Sequence, residues 1–256
     1  MFQRRIPTKS SSVTIFLAPR DRQKGHKNEI KEKDTTQIIV TMIQSIQQII
    51  HMNNHGVSLL GSEDDQKAVS AFTTSLLALQ KLLGTGDQSC PLKTSADVDC
   101  YVTALPAKES LRHLEGKSYY IYNRPLAISL GNSSDIQLYS ACTILNLAMA
   151  YHRQAKKTCN NLCTKKAESM YDMIITLLQS RTDPTSMSVR IIAVNNISEI
   201  HYESGRFDQA REELQWLSAA IHQGGPNVDF FEQRDLDLLL LNILVLLTPP
   251  HAAAAA

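Results

Sequence analysis

Three stretches of this chain superpose in one frame, each anchored on an asparagine: Asn54, Asn146 and Asn196. An aliphatic or methionine residue stands two places before each anchor (Met52, Ile144, Val194), and a small residue two places after (Gly56, Ala148, Ser198). Farther along comes an alanine (Ala68, Ala167, Ala210), followed four residues later by a bulky side chain (Phe72, Tyr171, Leu214). A small residue on one helix and an alanine on the next let two helices approach closely where they cross. The bulky residue then fills the space beside the crossing. The frame therefore restricts the chain to helical hairpins.

The stretches around the anchors read as helices on their own. Ile38, Ile39, Met42, Ile43, Ile46, Ile49 and Ile50 are spaced by threes and fours, one apolar stripe that opens near Asp34 and runs on through Met52–Leu60. Gly61–Asp65 supplies a turn, Lys67–Leu83 a second helix, and Gly84-Thr85-Gly86 a stop. Ile136–Gln154 and Thr164–Gln179 make the next pair, and Val189–Glu203 and Gln209–His222 the third. In the third pair Gly205 is placed for a left-handed helix stop, and Asp208 for the first turn of the following helix. Ala68 and Ala210 each lie 14 residues after their asparagine but Ala167 lies 21 after, so the middle unit carries a seven-residue insertion, expected in its turn. A last amphipathic helix spans 229–247, and Pro249-Pro250 opens a Pro/Ala tail over 248–256.

Residues 85–137 break this texture as an insertion. Tyr101–Leu105 and Tyr119–Leu130 have the β-branched and aromatic content of short strands, with Arg124-Pro125 inside the second. Lys108–Glu115 is expected to form one or two helical turns. The tyrosines of the insertion are expected to pack it against the helical body; a binding patch is the alternative reading of such a cluster. Ahead of the helices, residues 1–33 carry nine Lys/Arg and three Asp/Glu, whereas the remainder carries 17 and 22. This arm is read as a flexible basic tail; an organelle address is the alternative its acid-poor, Ser-containing composition allows.

Five cysteines without a Cys-x-x-Cys pair or secretory signal point to reduced thiols in an intracellular, cytoplasmic setting. No apolar run reaches the ~20 residues that span a bilayer. Neither interleaved aromatics nor a second basic surface accompanies the arm, so a nucleic-acid partner is not expected.

The run Ile144–Tyr151 resembles the first helix of a tetratricopeptide repeat (TPR), and Gly205–Ala210 resembles the turn and second-helix start of the same family. The resemblance covers three hairpins, at about 46–83, 138–180 and 189–222, within a domain spanning 34–247. It implies an all-α, α-solenoid-like fold, short and interrupted, with 229–247 as capping helix and a small extended insertion. The interruption is large: 92 residues separate the first two anchors and 50 the next two, against a family period of ~34. The resemblance further implies an adaptor or scaffold that holds a protein or peptide segment on a concave surface lined by the first helices. Positions carried over to that surface are Asn53, Val57 and Leu60; Leu145, Met149, His152 and Arg153; and Asn195, Glu199, Tyr202 and Glu203. Arg153 alone among them is cationic, and Glu199 and Glu203 repel an anionic tail, so a mixed or basic ligand fits better. The three anchor asparagines are expected to satisfy interhelix polar groups rather than a ligand.

Other readings stay open at this stage. An organelle- or membrane-associated assembly factor would use the arm as its address. A homo-oligomer would pair through the Leu-rich last helix. A metal-dependent enzyme would use His51 and His55, four apart on a helix, but no third ligand or Glu after the first His accompanies them. No phosphate loop or nucleophile elbow is present, so neither catalysis nor a cofactor is expected.

Overall fold

The computed structural model describes residues 25–84, 102–105, 119–129, 135–224 and 230–247. Two compact units are distinguished, 1–41 and 42–256. Within the first, the described residues form the opening part of helix α1 (Gly25–Gly61). Within the second, the chain continues through α1 and then α2 (Asp65–Gly84), β1 (Val102–Ala104), β2 (Leu126–Ile128), α3 (Ile136–Thr158), α4 (Asn161–Leu177), α5 (Pro184–Glu203), α6 (Phe207–Gly224) and α7 (Gln233–Leu247). The described chain is mostly helical, with one two-stranded antiparallel ladder.

Each helix packs on its neighbour in sequence from α2 to α7, and α3 also meets α5 and β2. The repeated frame explains the close crossings. A Cβ added at Gly56 would stand 2.6 Å from the Phe72 ring, so only glycine fits there. Ala68, Ala148, Ala167, Ser198 and Ala210 occupy the corresponding small positions and are buried, as are the filler residues Phe72, Tyr171 and Leu214. Ser75 Oγ donates to the carbonyl of Ile49 at 3.0 Å and ties α2 to α1.

The turns obey one rule. Glu63 (φ +66°), Cys159 (φ +52°) and Gly205 (φ +76°) each follow the first helix of a pair in the left-handed conformation. In the outer two turns the amides of Asp64 and Arg206 reach back to the carbonyls of Leu59 and His201, at 3.0 and 2.8 Å, which closes a Schellman motif. Caps then restart the chain as helix: Asp64 accepts from the Lys67 amide, Asn160 from Leu162, and Asp183 from Ser186.

Several boundaries differ from the sequence expectations. Helix α1 begins at Gly25 rather than near Asp34, so residues 25–33 of the expected flexible arm are helical. Their Glu and Lys residues are good helix formers, and a helix propagates more easily than it nucleates. The extra residues of the middle hairpin do not lengthen its turn. Helix α3 continues twelve residues past Asn146, whereas α1 and α5 stop seven past their asparagines. Helix α4 opens six residues ahead of Ala167, against three ahead of Ala68 and Ala210 for α2 and α6. Helix α5 begins at Pro184, not Val189, because Asp183 and Pro184 form a cap and a first-turn proline. Helix α7 begins at Gln233, leaving Phe230 and Phe231 buried just ahead of it. The expected helical turns over 108–115, the arm over 1–24 and the tail over 248–256 lie outside the described residues.

Both expected extended stretches are present, and they pair. Val102 lies opposite Ile128, Thr103 opposite Ala127 and Ala104 opposite Leu126. Tyr120 and Tyr122 are buried, as expected for tyrosines that pack the insertion onto the helices.

Candidate functional site: a groove lined by asparagines

The extended stretch 119–129 lies across α1, α3, α5 and α7, and one asparagine from each helix grips one of its residues. Asn54 of α1 accepts from the Ile128 amide at 2.9 Å and donates to the Ile128 carbonyl at 2.8 Å. Asn146 of α3 does the same for Leu126, at 2.8 Å in both directions. Asn196 of α5 holds Tyr122 at 2.9 and 2.8 Å, and Asn242 of α7 holds Tyr120 at 2.7 and 2.6 Å. The segment thus crosses the helices in reverse of their chain order.

The chemistry calls for asparagine. A carboxamide presents one acceptor and one donor side by side, the complement of the N–H and C=O that a single strand residue turns toward one edge. Aspartate has no donor for the carbonyl. The four side chains replace a neighbouring strand on one edge of the segment, while β1 occupies the other: Thr103 faces Ala127, and the Leu105 amide donates to the Pro125 carbonyl at 3.1 Å. Pro125 lacks an N–H on the β1 edge, and the Leu105 carbonyl there accepts from Arg124 Nε instead, at 2.8 Å.

Two further asparagines brace the clamps. Asn53 donates to the Leu126 carbonyl at 3.3 Å and accepts from Asn146 at 3.1 Å, linking α1 to α3. Asn195 donates to the Tyr120 carbonyl at 3.1 Å and accepts from Asn242 at 2.8 Å, linking α5 to α7. Asn196 also donates to the Tyr171 hydroxyl at 3.2 Å. Asn146 and Asn196 therefore do satisfy groups on another helix, through Asn53 and Tyr171, whereas Asn54 bonds Asn53 of its own helix. All three engage chiefly the extended segment, which frame arithmetic alone does not reveal.

Side chains of the segment are locked at the α7 end. The Arg124 guanidinium pairs with Asp235, approaches Glu232 at 3.1 Å and donates from Nε to the Leu105 carbonyl at 2.8 Å. Tyr120 donates from its hydroxyl to Asp235 at 2.7 Å; burial, then that hydrogen bond, push its ionisation far above the usual tyrosine range. Tyr122 reaches the Phe230 carbonyl at 3.3 Å.

Of the positions carried over from the resemblance, Asn53 and Asn195 touch the segment directly. Val57, Leu60, Leu145 and Met149 are buried in the hydrophobic core. His152 and Glu199 form a buried pair at 3.0 Å, and Lys156 reaches both Glu199 and Glu203. Burial raises the Glu199 carboxyl, but His152 and Lys156 outweigh it and hold the group down at about 2. Arg153 is committed to Asp65 at 3.2 Å and to the Leu60 carbonyl at 2.9 Å. Tyr202 also touches the segment: its ring lies between those of Tyr119 and Phe207, tilted to the first and edge-on to the second, with centroids 4.6 and 5.1 Å away.

Asn242 escaped the sequence reading. It has the preceding aliphatic residue of the frame, Leu240, but Leu244 stands where the others have a small residue. His51 and His55 are both exposed on α1. Among the described residues no three His, Cys, Asp or Glu side chains are grouped to hold a metal ion. No described helix is long and apolar enough to cross a membrane. No family model matches this chain, and no curated protein or solved structure is significantly similar to it.

Proposed function

We propose that this chain is a non-catalytic, TPR-like scaffold that handles extended protein segments through main-chain recognition in an asparagine-lined groove. In this reading α1, α3 and α5 are the inner helices of three repeats, α2, α4 and α6 the outer ones, and α7 the capping helix that supplies a fourth clamp. The observation that carries it is the set of four two-point grips, one per inner helix and one from α7, all on main-chain atoms of one extended segment. Holding a peptide backbone at four points along one edge is the work of a peptide groove rather than of a reaction centre. Here the groove carries the chain's own residues 119–129.

Crosslinking mass spectrometry on partners captured by the full chain tests the reading. Partner crosslinks are expected at Lys156, which reaches Glu199 of α5, and at Lys157, which reaches Asp65 of α2, both in the last turn of α3. Crosslinks confined to Lys67 and Lys81 of α2 and Lys165 and Lys166 of α4 would place the binding surface elsewhere and overturn it.

A further inference from the structure

The groove imposes side-chain demands on whatever fills it. Asp235 is only 5% exposed, and the segment supplies a partner to each of its oxygens, Tyr120 to Oδ1 and Arg124 to Oδ2. A buried carboxylate stripped of its cation is strongly destabilising, so an occupant has to bring a guanidinium to this place. The clamps fix the remaining spacing. Tyr120, Tyr122, Leu126 and Ile128 are gripped, Arg124 falls in the same alternating series, and all five are buried; of the residues between them Ile121, Asn123 and Ala127 are partly exposed and Pro125 is buried. Alternation along a strand puts the five on one face. The clamps themselves touch only main-chain atoms, so they do not distinguish a segment of this chain from one of another.

We propose that the groove is a receptor for extended segments of pattern Tyr-x-Tyr-x-Arg-x-aliphatic-x-aliphatic. Residues 119–129 are its resident occupant, and a partner protein's segment of the same pattern replaces them. This rests on the scaffold reading and adds the chemistry of the ligand. The arginine sets the register, because Asp235 and Glu232 accept it at one point only. The aromatic and aliphatic pairs take the apolar positions on either side.

The test titrates a fluorescein-labelled peptide with the sequence of residues 119–129 into the full chain and into its Arg124→Ala variant, read by anisotropy. The variant weakens the resident segment while leaving Asp235 and Glu232 for the arginine of the peptide. The peptide is expected to bind the variant about tenfold or more tightly than the unaltered chain, and to lose about tenfold when its own arginine is replaced by alanine. Absence of binding to a folded variant overturns the proposal. Where the variant does not fold, hydrogen exchange on the unaltered chain decides. The Tyr122 and Leu126 amides are expected to exchange through local opening, well before the core amides of α3 and α5. Exchange of all of them only on global unfolding would make the segment a permanent part of the core and overturn the proposal. Crosslinks at Lys156 and Lys157 without peptide binding would end this inference and leave the scaffold reading standing; peptide binding with crosslinks confined to α2 and α4 would do the reverse.

Discussion

Replacing Asn146 with alanine removes the acceptor of the Leu126 amide and one of the two donors to its carbonyl, at a point where Asn146 and Leu126 are fully buried; Asn53 still reaches that carbonyl. Asn53 in turn loses the donor at its Oδ1. Each orphaned buried polar group costs about 1–3 kcal/mol, so the Leu126 N–H and the Asn53 Oδ1 together come to about 2–6 kcal/mol. A loss near 4 kcal/mol is a large part of the stability of a typical domain. Urea denaturation followed by circular dichroism measures it, and hydrogen exchange locates it, since the Leu126 amide should lose protection far more than the amides of α4. Asn146→Asp sharpens the test. An ionised aspartate keeps the acceptor for the Leu126 amide but sets a second acceptor against the carbonyl, so it should do at least as much harm at neutral pH. Below its own pKa the protonated acid regains a donor, and this variant should recover stability on acidification, opposite to the usual trend of a carboxylate. A loss under about 1 kcal/mol for Asn146→Ala, or no acid recovery in Asn146→Asp, would refute the clamp as a main source of order in the segment.

Further outcomes follow from other positions. Glu63→Gly should stabilise by about 0.5–1 kcal/mol, because a left-handed residue is relieved of its Cβ. Gly205→Ala should cost a similar amount by thermal melting, with backbone strain the sole cause, since a Cβ there meets nothing within 4 Å. Gly56→Ala forces a methyl group into the Phe72 ring and should cost about 1–3 kcal/mol, most of it recovered in the double variant with Phe72→Leu; purely additive losses would refute the steric account. Glu199 makes stability pH-dependent in a defined window. Its folded carboxyl titrates at about 2 against an ordinary 4.5, so its stabilisation is present above pH 4.5 and is lost as pH falls toward 2. The shift corresponds to about 3 kcal/mol. A Glu199→Gln chain should show a shallower fall of urea midpoint between these pH values, and identical profiles would remove Glu199 from the account.

How far the fold could be read in advance varied with the range of the cause. Helix identity, the left-handed stop at Gly205 and the crossing of Gly56 with Phe72 depend on spacing along single helices or across one short turn. The strands 102–104 and 126–128 were legible from β-branched and aromatic content. Boundaries were less so. The spacing of Asn146 and Ala167 shows seven extra residues in the middle hairpin but not where they go, and the helices extend where a longer turn is expected. Asn242 was hidden by Leu244 in the position that the other units fill with a small residue.

By itself, then, the amino-acid order determined the helical hairpins, their close crossings and the presence of asparagines at one recurring position, because 3.6-residue periodicity and small-residue spacing are local properties. Only the tertiary structure decided what those asparagines do. The main-chain groups that the three anchors hold lie 20 to 74 residues away along the chain, and the one held by Asn242 lies 122 away. A carboxamide can serve a helix partner, a ligand or a strand equally well until folding brings one of them within hydrogen-bond reach. In this chain folding brings the main chain of residues 120–128, and the buried Arg124–Asp235 pair holds it in register.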